Sequence, residues 1–332
     1  MNKLYISFSI ILVCGMILSA CSPQPPAQPA APQAPATEVP PAASQATEVP
    51  TTAPAAPAPT TAPAATAAST VQHTTVPSDL PTTGGIPFAD NTITAQKDQQ
   101  RALNGDGFTD GRMERPFNAN TMDVYSPFLD ITGGTIYPTD PTFVYANITF
   151  AGRDSNNAFS GKYGLELDVN LDGRGDFLIL VISPSSPDWT TDGVQVFSDA
   201  NHDIGGAVPY KADSSGATGD GYETNVFDSG KGSDPDTAWV RLSSTDPNSI
   251  QFAFKKSLIN NKKSFMVGAW AGLDINPALF DYNDHFTHAQ AGAALKSNIY
   301  YPIKAVFDMD NSCRVAVGFV SSGKEPGVCQ GK

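Results

Sequence analysis

The sequence has few cysteines, few basic residues and none of the short motifs that mark common enzyme classes. It lacks the nucleophile pattern GxSxG, the zinc pattern HExxH, the phosphate-binding pattern GxxxxGK[ST] and any CxxC pair. The 20 Lys and Arg residues are outnumbered by 33 Asp and Glu, which gives a formal net charge of -13. Because nucleic acid binds basic surfaces, this balance argues against a nucleic-acid partner.

Residues 1–20 have the composition of an export signal. Lys3 precedes an apolar run over residues 5–18 that is too short to be a stable membrane span. The run ends in residues 18–21, LSAC, which resemble the lipobox of bacterial lipoproteins. The resemblance implies that Cys21 is lipidated and that the chain is exported, held at the cell membrane or outer envelope by its acyl chains, and faces outward. The alternative is an ordinary secretory signal peptide with a chance cysteine.

Residues 21–81 consist mainly of Ala, Pro and Thr and contain the pentapeptide ATEVP twice. They have almost no large apolar side chains, so burial cannot offset the entropy of ordering them. The sequence therefore predicts a disordered tether. In extended polyproline conformation, roughly 60 residues reach at most about 190 Å. A proline-rich ligand for a recognition module is the alternative.

Residues 82–332 are expected to form a single β-rich extracellular domain. Apolar side chains alternate in residues 142–150 and 162–169, which is typical of half-buried strands, whereas Phe177–Ile182 is apolar throughout and indicates a strand covered on both faces. Further strand patterns occur at residues 193–197, 238–242, 250–254, 265–271, 304–309 and 314–320. Helical patterns are limited to residues 255–261 and to residues 287–295, which begin with a capping box. The predicted fold is mainly β, a jelly-roll-like antiparallel β-sandwich with one or two short helices; a β-propeller is the alternative.

Two cysteines remain once Cys14 leaves with the signal and Cys21 is lipidated. Cys313 and Cys329 lie close together in an exported domain, so we expect them to form a disulfide that closes a C-terminal loop. Closing a loop of this length stabilises a protein by about 3 kcal/mol in the chain-entropy model. Zinc ligation is the less favoured alternative.

A calcium-loop pattern follows the alternating segment 162–169. Short oxygen-bearing side chains recur at alternate positions and Gly173 permits a sharp turn. The EF-hand glutamate is missing because Ile179 occupies its position. The pattern resembles the strand-loop-strand calcium loops of integrin α-subunit repeats and, more loosely, thrombospondin type 3 repeats. The resemblance implies calcium held by Asp168, Asn170, Asp172 and Asp176. The seventh position of the pattern is Arg174, whose backbone carbonyl is a further candidate ligand. The alternative is a plain hairpin connection in which the Asp and Asn side chains bond their own backbone.

Two less complete copies of this spacing lie elsewhere. One comprises Asn104, Asp106 and Asp110, and the other comprises Asp199, Asn201 and Asp203. Such poor recurrence favours a calcium-decorated sandwich over a propeller. The first loop also contains the tripeptide of residues 174–176, RGD, which animal adhesion receptors recognise, but a calcium ion on Asp176 would compete with that use.

The tryptophans suggest where a ligand would bind. Trp239 and Trp270 lie inside strand patterns and are expected in the core, whereas Trp189 lies in a loop and is a candidate ligand-binding residue. We therefore expect a lipid-anchored surface protein with a calcium-stabilised sandwich, a non-catalytic binding module for a glycan or another extracellular polymer. Carbohydrate-binding jelly-roll domains look similar only at the level of fold. A structural envelope protein and an extracellular hydrolase remain as alternatives.

Overall fold

Two antiparallel sheets contain all the strands in the part of the chain that the computed structural model describes, residues 71–90, 106–204, 219–294 and 303–329. The strands are β1 (Ile86–Ala89), β2 (Glu114–Arg115), β3 (Ile131–Tyr137), β4 (Phe143–Phe150), β5 (Lys162–Asp168), β6 (Phe177–Ile182), β7 (Val194–Ser198), β8 (Thr224–Asp228), β9 (Lys231–Gly232), β10 (Ala238–Leu242), β11 (Ser249–Lys255), β12 (Phe265–Gly272), β13 (Met309–Asn311) and β14 (Val315–Val317).

The first sheet has the order β1-β3-β4-β11-β10, and the second has the order β2-β13-β12-β5-β6-β7-β8-β9. Strand β14 also pairs with β12, farther along the same edge as β13. The predicted β-sandwich is confirmed. The described strands form neither a closed barrel nor a propeller, so the alternative fold is set aside.

The main core lies between the two sheets and follows the period-two patterns of the sequence. Val144, Ala146, Ile148 and Phe150 of β4 project into it from the first sheet, and alternate residues of β5, β6 and β12 meet them from the second. Burial of these alternating positions against the facing sheet is the main source of stability for such a sandwich.

The outer face of the second sheet is also covered. Leu178 and Leu180 of β6 and Trp270 of β12 pack beneath the segment that contains Phe280 and Tyr282. The prediction that β6 is buried on both faces is therefore confirmed. The strand predicted at residues 162–169 is present as β5, but the prediction that it is half-buried was wrong, because Glu166 and Asp168 on its outer face are buried as well.

The outer face of the first sheet is covered by residues 71–80. The Asp236 carboxylate accepts hydrogen bonds from the backbone N–H groups of Thr74 (3.0 Å) and Thr75 (2.8 Å), and Ser78 N–H donates to the Tyr145 hydroxyl at 3.0 Å. Residues 74–78, inside the range assigned to the tether, thus pack against the domain.

The short helices and the C-terminal strands deviate from their sequence patterns. The capping box of residues 287–290 is present, but its helix α2 is one turn long, His288–Ala291, and follows another single turn, α1 (Tyr282–His285). Residues 255–261 form a 3-10 turn over Lys256–Ile259. Of the strand predicted at residues 304–309, only Met309 is in a strand, because other residues of the segment bond outside the sheets: Lys304 N–H donates to Ala291 O of α2, and Asp308 N–H donates to Phe117 O.

Cys313 and Cys329 form the predicted disulfide, with an S–S distance of 1.99 Å. It links the turn between β13 and β14 to the end of the described chain. Cys21 and the rest of the predicted signal and tether up to residue 70 lie outside the described residues. Among the residues described, no helix is long and apolar enough to cross a membrane.

Candidate functional site

The calcium-loop pattern lies in the connection between the neighbouring strands β5 and β6. Asp168 is fully buried at its start, and its carboxylate accepts the backbone N–H groups of Leu171 (2.6 Å) and Gly173 (2.9 Å). Asp176 closes the loop, since its carboxylate accepts the Val169 N–H at 2.6 Å. Gly173 has a φ of 92°, the left-handed conformation that the pattern assigned to this glycine.

The exposed part of the loop has the same type of bonding. Asn170 Oδ1 accepts the Asp172 N–H at 2.9 Å, and Asp172 Oδ1 accepts the Arg174 N–H at 2.9 Å. These are the local side-chain to backbone bonds expected of a polar hairpin connection. An ionised carboxylate has about four acceptor positions, so this bonding leaves capacity for a cation. The hydrogen bonds alone are compatible both with a calcium loop and with a plain hairpin connection.

A second acidic segment, predicted from its spacing as a separate candidate, meets this loop. Phe177 at the start of β6 pairs with Ser198 at the end of β7, so Asp176 and Asp199 are adjacent across the ladder, and Asp199 N–H donates to Asp176 O at 3.1 Å. A cavity of about 10 Å³, enough for one water-sized sphere, lies between the two segments. Its lining consists of Asn170, Asp172, Arg174, Gly175, Asp176, Asp199 and His202.

The other members of that second segment are arranged differently. Asp199 accepts the N–H of Asp203 at 3.2 Å, whereas Asp203 accepts the N–H of Asp220 at 3.3 Å. Asn201 is exposed and does not line the cavity. Of the three predicted residues, only Asp199 therefore contributes to the convergent site.

An open cleft of about 230 Å³ lies next to this cavity and shares four of its lining residues. The cleft is lined by Val169, Asn170, Asp176, Phe177, Asp199, His202, Asn260 and Lys262. Its volume is below the ~300–1,000 Å³ usual for drug-sized ligands. Hydrogen-bonding groups around one aromatic ring suit a small hydroxyl-rich group such as a single sugar unit.

Burial shifts the pKa values of three carboxylates at this site. It raises the pKa of Asp168 to about 6, even though Arg314 and two backbone N–H groups act in the opposite direction. Burial also raises the pKa of Asp176 and of Asp199. Three buried carboxylates with raised pKa values in one region favour any ligand that supplies positive charge.

The RGD tripeptide is engaged within the protein. The Arg174 guanidinium is buried, donates to Ile204 O and forms an ion pair with Asp284 at 3.3 Å. Asp176 is bonded to the loop backbone, and its Oδ1 lies 3.6 Å from His202 Nδ1. In this conformation the two charged side chains of the tripeptide are not available to an adhesion receptor.

The first of the less complete loops is not assembled as a cation site in the described part. Asp106 forms a buried ion pair with Arg115, and Asp110 lines another cavity beside Glu166 and Arg314. Asn104 lies outside the described residues.

Trp189 is half-buried and packs at the margin of the outer cluster of the first sheet. Its indole N–H donates to Ser78 O at 2.9 Å, and the Arg241 guanidinium lies 4.5 Å from the ring centroid. These contacts connect residues 71–80 to the sheet. A ligand-binding role for Trp189 stays a prediction. Trp239 and Trp270 are 2% and 3% exposed, as expected for core residues.

Sequence reasoning missed a pair of buried carboxylates behind the second sheet. Glu166 accepts hydrogen bonds from Tyr222 (3.0 Å) and Trp270 (2.9 Å), and burial together with the charge of Glu166 raises the pKa of Asp281 to about 7. A glycosidase uses two carboxylates on either side of a bound sugar. The cavity that Glu166 and Asp281 line has a volume of about 10 Å³, which leaves no room for a substrate.

A second missed cluster consists of Glu114, Asp130 and Asp310, which are distant in sequence but converge in the interior. The sequence feature that could have indicated this cluster is a carboxylate inside or next to an apolar segment, as in residues 127–131, PFLDI. That signal predicts burial. It does not predict which residues meet.

The protein is a two-sheet β-sandwich with an acidic, polar cleft where the β5–β6 connection meets the end of β7. No family model matches the chain, and no curated protein or solved structure shows a significant match to it. Any functional interpretation therefore depends on the chain's own residues.

Proposed function

We infer that this protein is an exported, lipid-anchored surface protein whose calcium-stabilised β-sandwich binds a glycan or another hydroxyl-rich extracellular polymer without catalysis. The anchor is Cys21 and the tether extends to the start of ordered packing. The observation that carries the binding role is the convergence of the β5–β6 connection and the Asp199 segment on one small cavity and its adjoining cleft.

Calcium is the cation that best matches the loop chemistry. The side chains that line the small cavity supply carboxylate and amide oxygens from Asn170, Asp172, Asp176 and Asp199. Hard oxygen donors of this kind suit calcium, which accepts variable geometry and six to eight ligands. Asp168 holds the loop backbone from beneath and contributes negative charge to the same region.

The cleft supplies the groups that recognise hydroxyls. Asp176 and Asp199 belong to both the cavity and the cleft, so an ion that orders them also orders one wall of the cleft. His202, Asn260 and Lys262 supply further donors and acceptors, and Phe177 offers an apolar ring. Binding is therefore expected to depend on calcium.

A glycan array probed with the purified protein, with calcium and then with chelator, tests this proposal. We expect calcium-dependent binding that His202→Ala and Lys262→Ala each weaken. Lys263→Ala is the matched control, since Lys263 is exposed next to the cleft but does not line it. If His202→Ala and Lys262→Ala bind glycan as tightly as Lys263→Ala and the unaltered protein, the cleft is not the binding site. If no glycan binds at all, a structural role in the envelope becomes the better explanation.

A further inference from the structure

Three carboxylates from distant parts of the chain meet in the interior, away from any residue in the loop pattern. One oxygen each from Glu114, Asp130 and Asp310 lies within 4.8 Å of the other two. The residues are 4%, 0% and 0% exposed, respectively. Three ionised carboxylates so close together repel each other strongly in a buried, low-dielectric environment.

The sheet register fixes two of the three in place. Glu114 on β2 is the direct cross-strand partner of Asp310 on β13, so their side chains lie on the same face of the second sheet. Like charges directly opposite each other destabilise a strand pair. Asp130 immediately precedes β3 of the first sheet, and Ile131 N–H donates to Asp310 Oδ2 at 2.6 Å. The cluster therefore joins the two sheets.

The second carboxylate oxygen of Asp310 points to a ligand for the cluster. Asp310 Oδ1 is buried and has no hydrogen-bond partner in the described structure. A buried carboxylate oxygen without a partner is costly, and proteins normally satisfy it with a donor or a cation. The Asp130 carboxylate accepts the Tyr125 hydroxyl at 2.5 Å, which orients that side chain at the cluster.

The charge environment of the cluster favours a bound cation. Burial raises the pKa of Asp310 well above its ordinary value, and the charges of nearby carboxylates raise it further, in the order Glu114, Asp90 and Asp130. Either a shared proton or a metal ion relieves this repulsion. A proton neutralises only one charge of the three, whereas a divalent cation neutralises two and attracts every oxygen at once.

We propose that Glu114, Asp130 and Asp310 form a buried site for a hard divalent cation of the calcium class, which connects β2 and β13 of the second sheet to the start of β3 in the first. All three donors are carboxylate oxygens, which favours calcium over zinc or copper, metals that prefer nitrogen or sulfur ligands. Each carboxylate can bind through one oxygen or two, so three side chains supply up to six ligands. This site is independent of the Asp168 loop and of the proposed glycan cleft.

The calcium content per chain, measured by mass spectrometry and by calorimetric titration of the chelator-treated purified protein, tests the proposal. Asp310→Asn is expected to bind one calcium ion fewer than the unaltered protein. Asp308→Asn is the matched control, because Asp308 is a neighbouring buried carboxylate outside the triad, and asparagine tolerates its φ of 47°. The control is expected to keep the full calcium content.

An Asp176→Asn variant separates the two sites. If the loop proposal fails and the triad proposal holds, Asp176→Asn keeps its calcium and Asp310→Asn loses it. If Asp310→Asn binds as much calcium as the unaltered protein, the triad proposal is overturned and the cluster is held together by a shared proton.

Terbium luminescence keeps the proposal testable if Asp310→Asn does not fold. Tyr125 contacts the Asp130 carboxylate directly, so its ring should sensitise a terbium ion bound by the triad. We expect Tyr125→Phe to reduce tyrosine-sensitised terbium emission, while Asp308→Asn leaves it unchanged. Equal emission from Tyr125→Phe and the unaltered protein would overturn the proposal.

Discussion

Calcium binding at the Asp168 loop is expected to weaken in mild acid. Burial raises the pKa of Asp168 from 3.8 to about 6 in the metal-free protein. Asp168 contributes negative charge to the calcium-binding region only when its carboxylate is ionised, and the ionised fraction is about nine-tenths at pH 7 and about one-tenth at pH 5, from the same pKa. The apparent affinity should therefore fall about tenfold between pH 7 and pH 5, equivalent to about 1.4 kcal/mol.

Isothermal titration calorimetry in buffers with different protonation enthalpies measures this coupling directly. We expect about half a proton to be released per calcium ion near pH 6 and almost none near pH 8. Performing the titration on Asp310→Asn removes any contribution from the buried triad. The same calcium affinity at pH 5 and pH 7, with no proton release near pH 6, would refute this reasoning.

The same shift makes one contribution to the pH dependence of the stability of the metal-free protein. Because the folded pKa of Asp168 is raised, the folded state binds more protons than the unfolded state between about pH 4 and pH 6. The free energy of unfolding should therefore fall as pH rises through this window, by up to about 3 kcal/mol from this group alone. Saturating calcium should abolish that loss, and urea unfolding with and without calcium measures it.

Three sets of substitutions, at the disulfide, at Phe252 and at Gly175, test the structural framework, each by urea unfolding. Replacing Cys313 and Cys329 by Ser should lower the free energy of unfolding by about 3 kcal/mol, since the disulfide closes a loop with a sequence separation of 16; an unchanged value would contradict this. Phe252→Ala should cost about 3–5 kcal/mol because Phe252 is 1% exposed between the sheets; a cost below about 1 kcal/mol would count against the core assignment. Gly175→Ala should lower the free energy of unfolding by about 1–3 kcal/mol, because its Cβ would lie 1.7 Å from the Tyr222 hydroxyl. Adding Tyr222→Phe should restore part of this loss. A fully stable Gly175→Ala variant would contradict the close approach.

The sequence predicted the sandwich well because its main signal, period-two alternation, has a simple physical cause. Alternate residues of β4 and β5 face the space between the sheets, so one face of each strand had to be apolar. The continuous apolar run of β6 likewise predicted burial on both faces. Alternation wrongly predicts an exposed outer face where loops cover the sheet. Glu166 is an example, because it is buried and its carboxylate accepts hydrogen bonds from Tyr222 and Trp270.

The candidate site was predictable only in part, for a reason of register. A local spacing rule found Asp168 and Asp176, which share one loop. The contribution of Asp199 depends on the pairing of β6 with β7, and sequence spacing contains no information about that pairing. The same limit applied more strongly to Glu114 and Asp310, which are cross-strand partners separated by nearly the whole domain.

The calcium affinity of Asp199→Asn is the strictest test of the convergent calcium site, because Asp199 lies outside the loop motif and is brought to it by the fold. We expect Asp199→Asn and Asp176→Asn both to bind calcium at least tenfold more weakly than the unaltered protein, the loss expected for one charged ligand worth about 1.4 kcal/mol or more. Asp192→Asn, an exposed residue before β7, should bind normally. Unchanged calcium affinity in Asp199→Asn would contradict the convergent site.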